Sequence, residues 1–228
     1  MLRPALLTHL ARSTMCLGLL GAALASAHPG AIAVATLWFY FALFTFQHDL
    51  LHGALGLHHR AREPLLAAVG ALILSSGHSV RVVHLLHHHR PLAPEDLESA
   101  AVRGSLVAAL PRLPGWLVAY RAEAWRRAST PERRWIGVES LLNAALVVVL
   151  AALPALRIIA AVMLALQLSA PIWAGRIPHR APTALVRLAR ALSFTHSPTF
   201  LSLAFHELHH EHPKVPVAEL PALSFAPR

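Results

Sequence analysis

Residues 30–52 read GAIAVATLWFYFALFTFQHDLLH. From Gly30 to Phe46 the run carries no charge, and its length is near the ~17–25 residues that take a helix across about 30 Å of hydrocarbon. It ends on His48-Asp49-Leu50-Leu51-His52. Residues four apart share one face of a helix, so His48 and His52 converge where the apolar run stops. Neutral imidazole is a good ligand for iron, zinc or copper. Polar clusters at a membrane face are costly without partners, and a metal ion supplies one.

The composition agrees with a membrane setting. Of the 228 residues 56% are apolar and 14% charged, against roughly 45–50% and about 25% in a soluble domain. Mean hydropathy is +0.53. These values exclude intrinsic disorder and argue against an ordinary soluble globule. The net charge of +9 fits nucleic-acid binding in a polar protein. At this hydropathy the basic residues flank membrane spans instead, and no nucleic-acid partner is expected. The one cysteine, Cys16, excludes a disulfide framework, a cysteine-ligated zinc site and an iron–sulfur cluster within the chain. Phosphate- and dinucleotide-binding motifs are absent, so no ATP or NAD site is expected.

Four spans are expected: Ser13–Ala27, Gly30–Phe46, Ile136–Leu153 and Ala155–Gly175. The joints Ala27-His28-Pro29-Gly30 and Leu153-Pro154 break the helix within each pair, which gives two hairpins. The fold class is thus all-α and integral to the membrane. One domain covers residues 1–228, with an N-terminal hairpin over 6–46 and a second over 136–175. The first span also fits a signal peptide, because its apolar run closes on Ala25-Ser26-Ala27. A fifth run, Pro64–Ser76, is short for a span and reads as re-entrant or interfacial. Residues 101–120 mix Pro, Arg and aromatics and suit the interface. Glu123–Arg134 reads as a polar, basic, helix-like stretch that lies in water. With four spans, every Lys and Arg except Arg157 falls on one side, which the positive-inside rule makes cytoplasmic.

Two further clusters join the first: His84-Leu85-Leu86-His87-His88-His89, and His206-Glu207-Leu208-His209-His210-Glu211-His212. Helical spacing gathers His84, His87 and His88 on one face, and likewise His206, His209 and His210. His9, His28, His58, His59, His78, His89, His196 and His212 read as ordinary surface or hydrogen-bonded residues. If Pro64–Ser76 is re-entrant, all three clusters face the same side. If it crosses, the first two cannot share a site.

H-D-x-x-H, then H-x-x-H-H, then a late H-x-x-H-H between membrane hairpins resembles the membrane fatty acid desaturase superfamily, which includes acyl desaturases, hydroxylases and carotenoid ketolases. The resemblance runs from Phe46 to Leu223. Gly53 follows the first box, Asp96 and Glu98 follow the second, and the tail from His212 to Pro221 is similar to the family's proline-rich close. Ile177-Pro178-His179-Arg180 resembles the L-P-H-R of ketolases, whereas Val217 and Ala218 stand where ketolases usually show tryptophans. The resemblance implies two non-haem irons, held by His48, His52, His84, His87, His88, His206, His209 and His210, with His179 as a further candidate. It implies dioxygen-dependent attack on a lipid hydrocarbon, an acyl chain first and a carotenoid second. It also implies an external electron donor resembling a ferredoxin or cytochrome, for which Arg121, Arg126, Arg127, Arg133 and Arg134 offer a basic platform. The expected location is a bacterial cytoplasmic membrane with the site facing the cytoplasm. Two other classes compete. His206-Glu207-Leu208-His209-His210 spells the H-E-x-x-H of zinc peptidases, with Glu207 as general base. A metal transporter or sensor would need ionisable residues in mid-span, which are scarce here.

Overall fold

The computed structural model describes residues 4–195 and 197–224; Arg3, His196 and Arg228 lie outside the described residues. Among the described residues there are helices and turns and no strands. The elements used below are α1 (Pro4–Ser26), α2 (Pro29–Leu51), α3 (His59–Ala71), α4 (Gly77–His89), α5 (Leu113–Arg127), α6 (Thr130–Ala152), α7 (Arg157–Ala170), α8 (Thr183–Ala191), α9 (Pro198–Ala204) and α10 (His206–Glu211). A π-helical turn, Pro171–Arg176, and a short helix, Ile177–Arg180, continue α7. The chain forms two compact units: residues 1–78 with 129–167, and residues 79–128 with 168–228.

Four helical runs among the described residues are long and apolar enough to cross a membrane: Pro4–Ser26, Pro29–Leu51, Thr130–Ala152 and Pro154–Arg180. A 23-residue helix is ~35 Å long at 1.5 Å per residue. Leu7, Met15 and Leu17 on α1 and Leu141 and Val148 on α6 lie exposed, as lipid-facing side chains do and as those of a soluble protein rarely do in such density.

In the first unit α1 packs along α2. The joint turns at Ala27, whose φ is 52°. His28 caps α2, its Nδ1 accepting the Ala31 N–H at 3.3 Å, and Pro29 fits the first helical turn, where no amide partner is needed. Hydropathy starts the first span at Ser13, but α1 starts at Pro4. Two of its polar residues find partners in place: the Thr8 hydroxyl donates to the Pro4 carbonyl, and buried His9 meets Asp49 through Nε2.

The polar, helix-like stretch Glu123–Arg134 is divided between two helices, the end of α5 and the start of α6. Ala128 turns to ψ 141°, and Ser129 with Glu132 forms a capping box that starts α6. Each of the two residues satisfies an amide left bare at a helix start, so a new helix begins there.

At thirteen residues, α3 is about 20 Å long and stops short of the ~30 Å a span needs. The chain turns through Leu74, φ 55°, and leaves along α4. A Cβ on Gly77 would stand 2.7 Å from Leu66, so only glycine permits this crossing. A buried trio holds the turn to α6. Both ring nitrogens of His78 meet carboxylates, Glu139 at 2.7 Å and Glu63 at 3.0 Å, and the Ser76 hydroxyl donates to Glu139. Trp135 stacks on the His78 ring at 5.1 Å. Gln167 donates to the Tyr40 hydroxyl and the Ile73 carbonyl, which ties α7 to α2 and to the same turn.

Candidate metal centre

In the first unit His48 and His52 stand one turn apart at the end of α2, with ring centroids 4.8 Å apart and edge to face. The other seven candidate ligands all belong to the second unit. There α4 presents His84, His87 and His88, the helix after the π turn presents His179, and α10 presents His206, His209 and His210.

The loop after α4 fixes two of these rings. Asp96 accepts from His87 Nδ1 at 2.7 Å, from the Ser99 hydroxyl at 2.6 Å, and from the amides of Leu92 and Glu98 at 3.0 Å. Burial opposes its charge. The bonds from His87 and Ser99 and the positive charge nearby outweigh it, and hold the carboxyl well below the usual range. Burial lowers the His87 pKa, but the bond to Asp96 and the charges of Glu98 and Asp96 raise it further, for a net rise. Since ionised Asp96 can only accept, His87 donates from Nδ1, and it is the neutral form of the ring that presents a lone pair at Nε2. His84 Nδ1 bonds Glu98 in the same way at 2.7 Å. Burial pushes the Glu98 carboxyl up to about 7.

The loop itself is clamped by the π turn. A Cβ on Gly175 would strike the carbonyl oxygen of Glu98, and Arg176 donates to the carbonyls of Ala101 and Gly104 at 2.7 and 2.9 Å. Glycine at 175 thus sets how closely the carboxylate loop approaches the helix that carries His179.

The Nε2 atoms converge. His87 and His179 stand 3.1 Å apart through Nε2, His179 and His206 3.1 Å, and His206 and His210 3.2 Å. One ligand atom from each of these four lies within 4.8 Å of those of the other three. Beside them, His88 Nε2 stands 3.1 Å from that of His84 and 3.0 Å from that of His209. The His88 and His210 rings stack at 4.2 Å.

These contacts do not form a hydrogen-bond network. An imidazole Nε2 has one in-plane site, which either donates one proton or accepts one. Yet the Nε2 atoms of His179, His206 and His88 each face two other Nε2 atoms. Nitrogens ~2.1 Å from a shared ion and at right angles to each other stand about 3.0 Å apart. The donor set therefore fits metal ions, with carboxylates behind Nδ1 to fix tautomer and ring plane.

Asp96→Asn keeps the shape but gives the His87 ring a weaker acceptor. Metal affinity is expected to fall about 10–100-fold, the usual cost of losing such an outer partner. Cobalt titration of folded protein checks this.

Neighbouring residues take other parts. Glu207 is exposed and borders a cleft of about 800 Å³ with Arg190, Glu211 and His206. His89 and His212 are exposed and His28 caps α2, as ordinary histidines do. His9 and His78 are different: both are buried and bonded to carboxylates. Their partners lie 40 and 61 residues away, so no local pattern announces them.

The sequence matches the fatty acid desaturase family over residues 23–226. No curated protein and no solved structure matches it. The matched stretch carries three of the four membrane-length runs in full and every histidine that converges in the second unit. The chain belongs to the fatty acid desaturase family, as a multi-pass membrane oxidoreductase.

Proposed function

We propose that the protein is a membrane-bound, non-haem di-iron enzyme that uses dioxygen and two electrons to desaturate or hydroxylate a lipid hydrocarbon, first of all a fatty acyl chain. The observation that carries this reading is the set of shared Nε2 contacts among His87, His179, His206 and His210. The proposed ligands are those four with His48, His52, His84, His88 and His209. When bound, two irons in imidazole shells with open positions supply the oxidising power to attack an unactivated C–H bond.

The chain's own part is positioning. Asp96 and Glu98 keep His87 and His84 aimed through Nε2. Unlike an H-E-x-x-H peptidase, this site has no use for Glu207, whose carboxylate is exposed. Two membrane hairpins with the histidines at their cytoplasmic ends let an apolar substrate arrive from the bilayer. The charge bias of the loops supports that orientation. A carotenoid is the second substrate reading, favoured by Ile177-Pro178-His179-Arg180, whose histidine joins the converging set.

The electron donor is proposed to be a separate acidic protein, because the chain has no flavin, haem or iron–sulfur motif. It would meet the arginines of residues 121–134. Glu123 binds Arg126 and Arg127 at 2.7 and 2.8 Å, which offsets part of the positive charge that this stretch would offer a donor. Reversing Arg121 and Arg134 to Glu is expected to slow donor-dependent reduction about 3–10-fold at low salt and less at high salt. Stopped-flow reduction at two ionic strengths checks this.

Expression in a host that makes β-carotene, with a matching donor, tests the substrate. New double bonds or hydroxyls in fatty acids are expected. Keto-carotenoids with unchanged fatty acids would replace the acyl reading by the second one.

A further inference from the structure

Asp49 and His9 form a buried pair that nothing in the account so far uses. His9 Nε2 donates to Asp49 Oδ2 at 2.9 Å, and both side chains are at most 4% exposed. The other oxygen, Oδ1, lies 3.7 Å from Nδ1 of His48. Phe46 stacks on the His9 ring with centroids 4.9 Å apart and planes 8° from parallel. All four residues lie on α1 and α2 within the first unit.

In the second unit a carboxylate hydrogen-bonded to Nδ1 fixes a ring, as Asp96 does for His87 at 2.7 Å; Asp49 faces His48 Nδ1 from 3.7 Å, a contact longer than a hydrogen bond. Asp96 sits in a loop, where free backbone amides hold its carboxylate. Asp49 sits inside a helix, where the backbone amides are already used by the helix itself. Another element must supply a donor. His9 reaches across from α1 and supplies one, with Phe46 fixing its plane, and Arg12 adds positive charge one turn along.

We infer that His9 is a positioning residue for the metal centre: it holds the Asp49 carboxylate against His48 Nδ1 and so aims His48 Nε2. His9 precedes the part of the chain that matches the family, which begins at residue 23. The device thus reaches beyond the matched stretch, and it gives α1 a part in holding a ligand as well as in anchoring the chain. The inference rests on the reading of His48 as a metal ligand.

Substitutions at His9 separate positioning from packing. Glutamine places its amide nitrogen near the position of His Nε2. Asparagine is too short to reach it. Leucine fills space and donates nothing. The full chain in detergent is titrated with cobalt(II), the visible absorption of the bound ion is recorded, and the melting temperature is measured without metal. The wild type and His9→Gln are expected to bind alike. His9→Asn and His9→Leu are expected to bind one ion normally and another about 10–100-fold more weakly, with an altered cobalt spectrum and with metal-free melting that does not separate Asn from Gln. Equal metal affinity in all four proteins, whatever their melting temperatures, would overturn the inference and leave His9 a packing residue. If the wild type binds no ion, the reading of His48 as a ligand falls, and the inference falls with it. If His9→Leu does not fold, the comparison of Gln with Asn decides alone.

Discussion

His206→Ala protein is expected to fold, to hold less metal than the wild type and to lose about 100-fold or more in activity, because losing only an outer partner of a metal ligand already costs about 10–100-fold. His206 is chosen because its Nε2 stands between those of His179 and His210, at 3.1 and 3.2 Å. Removing it opens the middle of the set, and His179 and His210 cannot close the gap from separate helices. His206 is only half-buried. Folding should therefore survive, as circular dichroism in detergent would show. Glu207→Gln, one residue on, is the control. It should retain activity, since Glu207 faces solvent. Loss of activity in Glu207→Gln with retention in His84→Ala would instead support peptidase chemistry, which uses the third cluster alone.

The largest effect on stability is expected at Glu139. Its side chain is fully buried against the equally buried His78, at 2.7 Å, with Glu63 on the other ring nitrogen. Both ring nitrogens of His78 face a carboxylate, so both of its polar atoms are spent within the trio. Such a group was expensive to desolvate, and its members depend on each other. Glu139→Ala leaves the His78 and Ser76 partners buried without their acceptor, and a loss of about 3–5 kcal/mol is expected. Denaturant titration of the metal-free protein in micelles measures it. The same loss should appear with metal present, because the trio ties α3, the following turn and α6 and touches no candidate ligand. A change under ~1 kcal/mol would mean that water or a neighbour replaces Glu139, and that the turn after α3 is held by packing alone.

How much of this was legible in the sequence depends on range. The four membrane-length runs, the thirteen-residue α3 and the faces of the three histidine clusters follow from spacing within a few turns of helix. Boundaries failed where polar residues have distant partners. The apolar run starts near Ser13, because Thr8, His9 and Arg12 interrupt it, and only its shortness points to a start near Leu6; α1 is helical from Pro4, with His9 buried on Asp49. Hydropathy sees a cost at His9 and cannot see the carboxylate forty residues on that removes it. Ser129-Thr130-Pro131-Glu132 was legible as a helix start and outweighs the uniform polarity of 123–134. Asp96 and Glu98 stood out beside the second cluster. Their partners His87 and His84 required the loop geometry, which Gly175 makes possible from far along the chain. The trio of His78, Glu63 and Glu139 was invisible for the same reason. A lone acid near the start of an apolar span was its only local trace.

The central claim is that these histidines exist to hold iron, and metal analysis of purified, active protein tests it most directly. Elemental analysis with Mössbauer spectroscopy of iron-57-grown protein should find about two irons per chain in nitrogen-rich surroundings, with iron lost in His206→Ala and kept in Glu207→Gln. One tightly held zinc per chain with full activity, or full activity with no metal at all, would contradict it.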